Sequence, residues 1–108
     1  MAHNYSFKFT EKAENDLDGI LQYIAEELCN PTAAKELYQK IFESIDTVLS
    51  FPETGQVVVN EFLTDKKIRR LLVDNYIIYY KADIENSVIY IIRIVFGKRD
   101  FNEIAKSL

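Results

Sequence analysis

The chain is 108 residues long, 48 % hydrophobic and 28 % charged, with a formal net charge of −4. That composition suits one compact domain with its own apolar core, and a single domain over residues 1–108 is expected. Cys29, the single cysteine, excludes an internal disulfide, charges interrupt every apolar run well short of the ~18 residues of a membrane span, and nothing at the start resembles a signal peptide, so a cytoplasmic protein is expected.

Tyr5-Ser6-Phe7-Lys8-Phe9 alternates aromatic and polar side chains, the period of a half-buried strand. Thr10 then offers a helix N-cap, with Glu11 and Glu14 in the first turn, where the helix dipole favours anions. Ala13, Leu17, Ile20, Leu21, Ile24 and Leu28 form a stripe at helical spacing over five turns. Gly19 interrupts it and weakens the helix by roughly 1 kcal/mol relative to alanine, without ending it. Asn30-Pro31 closes this helix and opens the next, asparagine as cap and proline where its missing N–H is of no consequence. Ala34, Leu37, Ile41, Ile45 and Val48, widened by Tyr38, Phe42 and Leu49, make a second stripe that stops at Ser50-Phe51-Pro52. Two helices of about twenty residues with almost no loop between them are antiparallel neighbours, and their joint apolar face needs a sheet to cover it.

Residues 52–55 read as a turn, 56–59 as a short strand and 60–65 as a polar connector. Runs 68–73, 76–81 and 87–96 are dense in Ile, Val, Leu and Tyr and are separated only by Asp74-Asn75 and residues 82–86. They predict strands, antiparallel because the connections are short. The middle run is apolar on both faces, which predicts a central strand covered on one side and lining a site on the other. The tail 101–108 predicts one or two frayed helical turns. The fold class is therefore α+β: an N-terminal strand and a helical hairpin on a three- to four-stranded antiparallel sheet.

Charge is unevenly spread. Residues 1–50 carry four Lys/Arg against nine Asp/Glu, whereas residues 66–100 carry eight against four. Overall acidity argues against indiscriminate nucleic-acid binding, but a local basic face remains open. Its candidates, for binding a phosphate or an acidic target, are Lys66, Lys67, Arg69, Arg70, Arg93, Lys98 and Arg99 with Tyr76 and Tyr79. Arg69 and Arg70 alternate along a strand, so one of them turns toward the helix layer and needs a partner, with Asp74 or a helix carboxylate available. Arg93, set among Ile91, Ile92 and Ile94, is either a paired structural arginine or a functional one. The helix carboxylates Glu11, Glu14, Asp16, Asp18, Glu26 and Glu27 read as a solvated face. His3 is the only histidine and lies near the chain end, which leaves no Ser-His-Asp arrangement. Metal-ligand spacing and a glycine-rich phosphate loop are both missing, so no cofactor or metal is expected.

The order of a strand, a helical hairpin ending in FP, then RRLLVDNYIIYY and RIVFGKRD resembles the RelE/ParE superfamily of type II toxin–antitoxin toxins, from Tyr5 to Asp100. The resemblance implies a small bacterial toxin held inactive by a cognate antitoxin whose C-terminal segment wraps it, in an assembly that is often a hetero-oligomer. Its RelE-like branch cuts messenger RNA on the ribosome, commonly with an arginine directly after the central-strand tyrosine and a tyrosine or histidine near the C-terminus. Its ParE-like branch has a longer helical hairpin and inhibits DNA gyrase. Here Ile77 follows Tyr76, Phe96 stands where many relatives carry histidine or tyrosine, and Phe101 lacks a hydroxyl. The resemblance therefore implies a ParE-like gyrase inhibitor first. The alternatives are a ribosome-dependent endonuclease whose catalytic candidates are Arg69, Arg70, Arg93 and Arg99, or an inactive antitoxin-binding relative.

Overall fold

The structure, a computed structural model, describes residues 5–63, 65 and 67–108. Its elements are β1 (Ser6–Phe9), α1 (Glu11–Gln22), α2 (Pro31–Ser50), β2 (Gln56–Val57), β3 (Arg69–Val73), β4 (Tyr76–Asp83), β5 (Val88–Phe96) and α3 (Phe101–Ala105). No helix among the described residues is long and apolar enough to cross a membrane.

Both expected helix starts are present. The Thr10 hydroxyl accepts the Ala13 N–H at 3.1 Å, and Asn30 Oδ1 accepts the Ala33 N–H at 3.0 Å, with Pro31 opening α2. The first helix does not keep one period, however. It passes into a π-helical turn over Tyr23–Glu27, where Leu28 N–H reaches the Tyr23 carbonyl, five residues back. The wider turn takes more residues per revolution and carries Leu28 out of the apolar stripe, leaving it 55 % exposed. Cys29 then takes a left-handed conformation (φ 50°) at the corner. Tyr38 also stays half exposed, its ring 4.6 Å from that of Phe42.

The sheet has five strands in the order β1-β5-β4-β3-β2, more than the three to four expected. Four of them run antiparallel in sequence, but β1 pairs parallel with β5, Ser6 opposite Val88 and Phe9 opposite Ile91. The short-connection rule could not reach that pairing, because almost the whole chain lies between the two strands. β2 is only two residues long. Val58 turns into a core instead, and Val59 points to solvent.

On one face of the sheet α1 and α2 bury Ala13, Leu17, Leu37, Ile41, Ile45 and Val48 against Val73, Ile78, Tyr80, Ile89, Ile91 and Ile94. Each Val, Leu or Ile among them contributes roughly 1.5–3 kcal/mol of burial. The other face, expected to be open, is closed as well. Val58, Leu63, Ile68, Ile104 and Ala105 cover Tyr79 and Val95, so the connector and the tail form a second, smaller core. The tail is not frayed: Ile104 and Ala105 are each 2 % exposed. Tyr80 binds the turn after α2 to the sheet. Its hydroxyl donates to the Pro52 carbonyl at 2.9 Å and accepts the Gly55 N–H at 2.8 Å. A Cβ on Gly55 would lie 2.6 Å from the Arg70 carbonyl oxygen, so the close approach of β2 to β3 depends on glycine there.

Candidate functional site

The sequence-derived residues do not converge on one place. Lys66 and His3 lie outside the described residues. Arg69 is the arginine that faces the helix layer. Its partner is neither Asp74 nor a helix carboxylate: Nη1 donates to the carbonyls of Gly55 (2.7 Å) and Glu53 (3.4 Å). Asp74 pairs with Lys40 instead. With Lys67, which is exposed, Arg69 borders a groove of about 590 Å³ beyond the end of α2, lined also by Tyr5, Phe51, Val57 and Ile84. Arg70, opposite Tyr79 in the register, is exposed on the other face.

Arg93 is the paired structural arginine. Its Nε and Nη2 grip the two carboxylate oxygens of Asp16 at 2.7 and 3.0 Å, and Nη1 donates to the Ser107 hydroxyl at 2.7 Å. Hydrogen bonding to Asp16 holds the guanidinium above its ordinary pKa, against the opposing effect of burial. Asp16 also accepts the Ile94 N–H at 3.0 Å, on the outer edge of β5 beyond the last residue of β1. A helix carboxylate that reads as solvated thus finishes a sheet edge and neutralises an arginine. The reason lies one turn earlier. The register between β4 and β5 slips between Tyr79 and Tyr80, leaving Ile92 as an extra residue, and the Thr10 hydroxyl donates to its carbonyl at 2.9 Å. The same threonine caps α1, so the bulge and the helix that supplies Asp16 are placed by one side chain.

Tyr79 is 2 % exposed and stacks on Phe101 at 6.0 Å, and burial raises its phenol pKa against a smaller lowering by Arg70. Neither property suits a surface ligand group or a base. Tyr76 remains partly accessible. Burial raises its phenol pKa too, with Tyr23 adding to the effect, and its ring meets Phe96 edge-on at 5.8 Å. Tyr76, Phe96 and Arg99 line a groove of about 520 Å³ whose opposite wall is Asn15, Asp16, Gly19, Ile20 and Tyr23 of the first helix. Arg99 and Lys98 are exposed, and no carboxylate among the described residues pairs with Arg70, Lys98 or Arg99. Reading the sequence alone misses Asp16, Gly19 and Tyr23. The available signal for Asp16 is Arg93 itself, because a cation amid isoleucines requires a carboxylate. Gly19 and Tyr23 carry no such signal.

No group of three or more His, Cys, Asp or Glu among the described residues is arranged to hold a metal ion. Among the described residues are two largely apolar grooves, one bordered by Lys67 and Arg69 and the other by Arg99.

Several solved structures share this fold. A chromosomal ParDE toxin–antitoxin system from P. aeruginosa superposes with a TM-score of 0.69, at 24 % identity over 90 % of this chain and 100 % of that one. The RelBE2 toxin–antitoxin complex from Mycobacterium tuberculosis gives 0.61 at 18 % identity, covering 86 % and 98 %. The archaeal RelE–RelB complex from Pyrococcus horikoshii OT3 gives 0.59 at 19 % identity, covering 90 % and 99 %. No curated protein matches the chain in sequence. The family model for the ParE toxin of the type II toxin–antitoxin system parDE matches residues 7–101, nearly all of both sheet faces and the hairpin, and the chain belongs to that toxin family.

Proposed function

We propose that this toxin acts in the cytoplasm on a protein target, DNA gyrase, and that a cognate antitoxin holds it inactive in a hetero-oligomer. The observation that carries the choice of a protein target is the internal engagement of Arg69 and Arg93. Cutting RNA needs cations free to hold phosphate and a group that moves a proton. Arg93 spends its donors on Asp16 and Ser107, Tyr79 is buried, and the phenol of Tyr76 is shifted away from ionisation. Losing acid–base groups costs about 10²–10⁴ in rate. An inhibitor that works by binding needs none of this. The arms Glu11–Gln22 with Tyr23–Glu27 and Pro31–Ser50 make the long hairpin that the ParE-like resemblance implies, and the matching family model is that of ParE toxins. The ParDE and RelBE relatives are toxin–antitoxin systems, which supports an antitoxin here.

Ribosome-dependent cleavage of messenger RNA is the second reading, favoured by Arg70, Lys98 and Arg99, whose charges remain in solvent. The two are separated by adding purified toxin to gyrase with relaxed plasmid and, in parallel, to translating ribosomes. Loss of supercoiling with intact message is the expected result. Supercoiling untouched at high toxin concentration sinks the gyrase reading, and message cleavage that disappears in Arg99→Ala establishes the other. No effect in either assay and no growth arrest on expression would leave only an antitoxin-binding relative.

A further inference from the structure

α2 ends at Ser50, and the groove of about 590 Å³ opens there, at the far end of β4 from Tyr76. Three large apolar side chains at its border stand in water: Phe51, Val57 and Ile84 are 64 %, 48 % and 75 % exposed. Apolar residues around a concave site with a few charged groups are the composition of a small-ligand pocket, and the volume lies within the ~300–1,000 Å³ usual for one. One wall is preformed. The turn over residues 52–55 is held by the Tyr80 hydroxyl, through the Pro52 carbonyl and the Gly55 N–H, and by Arg69 Nη1, through the carbonyls of Glu53 and Gly55. A ligand entering here does not have to order that turn.

Charge narrows the occupant. The bonds from Nη1 fix the Arg69 guanidinium but leave Nε and Nη2 with no partner among the described residues. These are the two donors with which Arg93 grips the Asp16 carboxylate, so Arg69 presents the same fork, unmatched, at the groove. Lys67 shares the border, exposed and in no ion pair among the described residues. The neighbouring Asp65 accepts the Lys67 N–H, but its carboxylate pairs with Lys81. The charged groups lining the groove are thus two cations, Lys67 and Arg69, and one carboxylate, Glu53. The surplus is a single positive charge. A monoanion balances it, whereas a phosphate dianion would exceed it and be repelled by Glu53.

We propose that this groove binds a small amphiphilic monocarboxylate, an acyl or aryl acid. Its carboxylate lies on Arg69 Nε and Nη2 beside Lys67, and its apolar body covers Phe51, Val57 and Ile84. The site is separate from the groove at Arg99, because Tyr76 and Ala82, which line the two, lie toward opposite ends of β4. It does not depend on which target the toxin attacks.

The test uses the full-length toxin with octanoate and 2-naphthoate as probes and 1-octanol as the uncharged counterpart, followed by amide chemical shifts and calorimetry. At least one acid is expected to bind with a Kd of about 1 mM or tighter, shifting amides of residues 50–57, 67–69 and 82–84. 1-Octanol is expected to bind at least about tenfold more weakly than octanoate. Ile84→Glu puts a carboxylate in the apolar wall and abolishes binding, and the exposure of Ile84 leaves the thermal midpoint unchanged. Lys67→Glu weakens binding about tenfold at low salt and less at high salt. Arg69→Lys keeps the charge and loses the fork, which also weakens binding about tenfold. Because that change also releases the Glu53 and Gly55 carbonyls, the two exposed variants decide the outcome. The proposal is overturned when neither acid shifts the groove amides, when 1-octanol binds as tightly as octanoate, or when Ile84→Glu and Lys67→Glu bind like the wild type. A wild-type chain that dimerises in sedimentation and becomes monomeric in Ile84→Glu also overturns it, because the occupant is then a second copy.

Discussion

Arg93 and Arg99 lie six positions apart at the end of β5 and its following turn, and they meet opposite fates. Arg93 is held by a bidentate contact to Asp16 and a bond to Ser107, so it ties α1 on one face of the sheet to the tail on the other. Arg99 has passed the end of the strand and keeps its charge in solvent beside an apolar groove. Identical side chains thus divide into one that holds the sheet's two covers together and one that is free to meet a partner. What separates them is whether the backbone still lies between the helix layer and the tail.

The largest expected effect breaks the first of these. Asp16→Ala strands a largely buried guanidinium, whose side chain is 13 % exposed, and orphans the Ile94 N–H. A loss of about 3–5 kcal/mol is expected in urea denaturation. Asp16→Asn, which keeps an acceptor, should recover part of it. Tyr80→Phe comes next. It leaves the Gly55 N–H without its acceptor and the Pro52 carbonyl without its donor, which should cost about 1–3 kcal/mol by thermal denaturation.

Alkaline titration sharpens the comparison between the two sheet faces. Burial raises the phenol pKa values of Tyr79 and Tyr80 above the ordinary 10.0. The unfolded chain therefore gives up these protons first, and binds fewer of them than the fold does as pH rises past that value. Their contribution to stability is fully present below pH ~10 and is lost as pH climbs through the folded values. Denaturant midpoints followed by tyrosinate absorbance should show this fall, and Tyr79→Phe should remove the share that belongs to the smaller core. The smallest effect is Arg99→Ala, whose stability should stay within about 0.5 kcal/mol of the wild type. A loss comparable to that of Asp16→Ala would mean that Arg99 is structural too and would erase the contrast.

The parts of this molecule legible in its residues are those decided by neighbours in sequence. The Thr10 and Asn30 caps, the two helical stripes and the corner at Asn30-Pro31 all follow from interactions spanning a few residues. So do the hairpin at Asp74-Asn75 and the central place of β4. The site was less legible. Tyr76 is partly accessible and Lys98 and Arg99 are exposed, whereas Arg69, Tyr79 and Arg93 are engaged within the structure.

By itself, then, the sequence determined the element order and the α+β class, because periodicity, caps and turn residues act locally, while the family was legible only through the resemblance of its ordered motifs to known toxins. Only the tertiary structure decided that β1 joins the sheet parallel to β5, that the tail closes the second face, and which cations are left over. Each of those outcomes depends on groups tens of residues apart: Thr10 on the Ile92 carbonyl, Asp16 on Arg93, Phe101 on Tyr79. An arginine's role is fixed by the carboxylates and carbonyls that folding brings within about 3 Å of it, and the spacing of residues along the chain does not carry that distance.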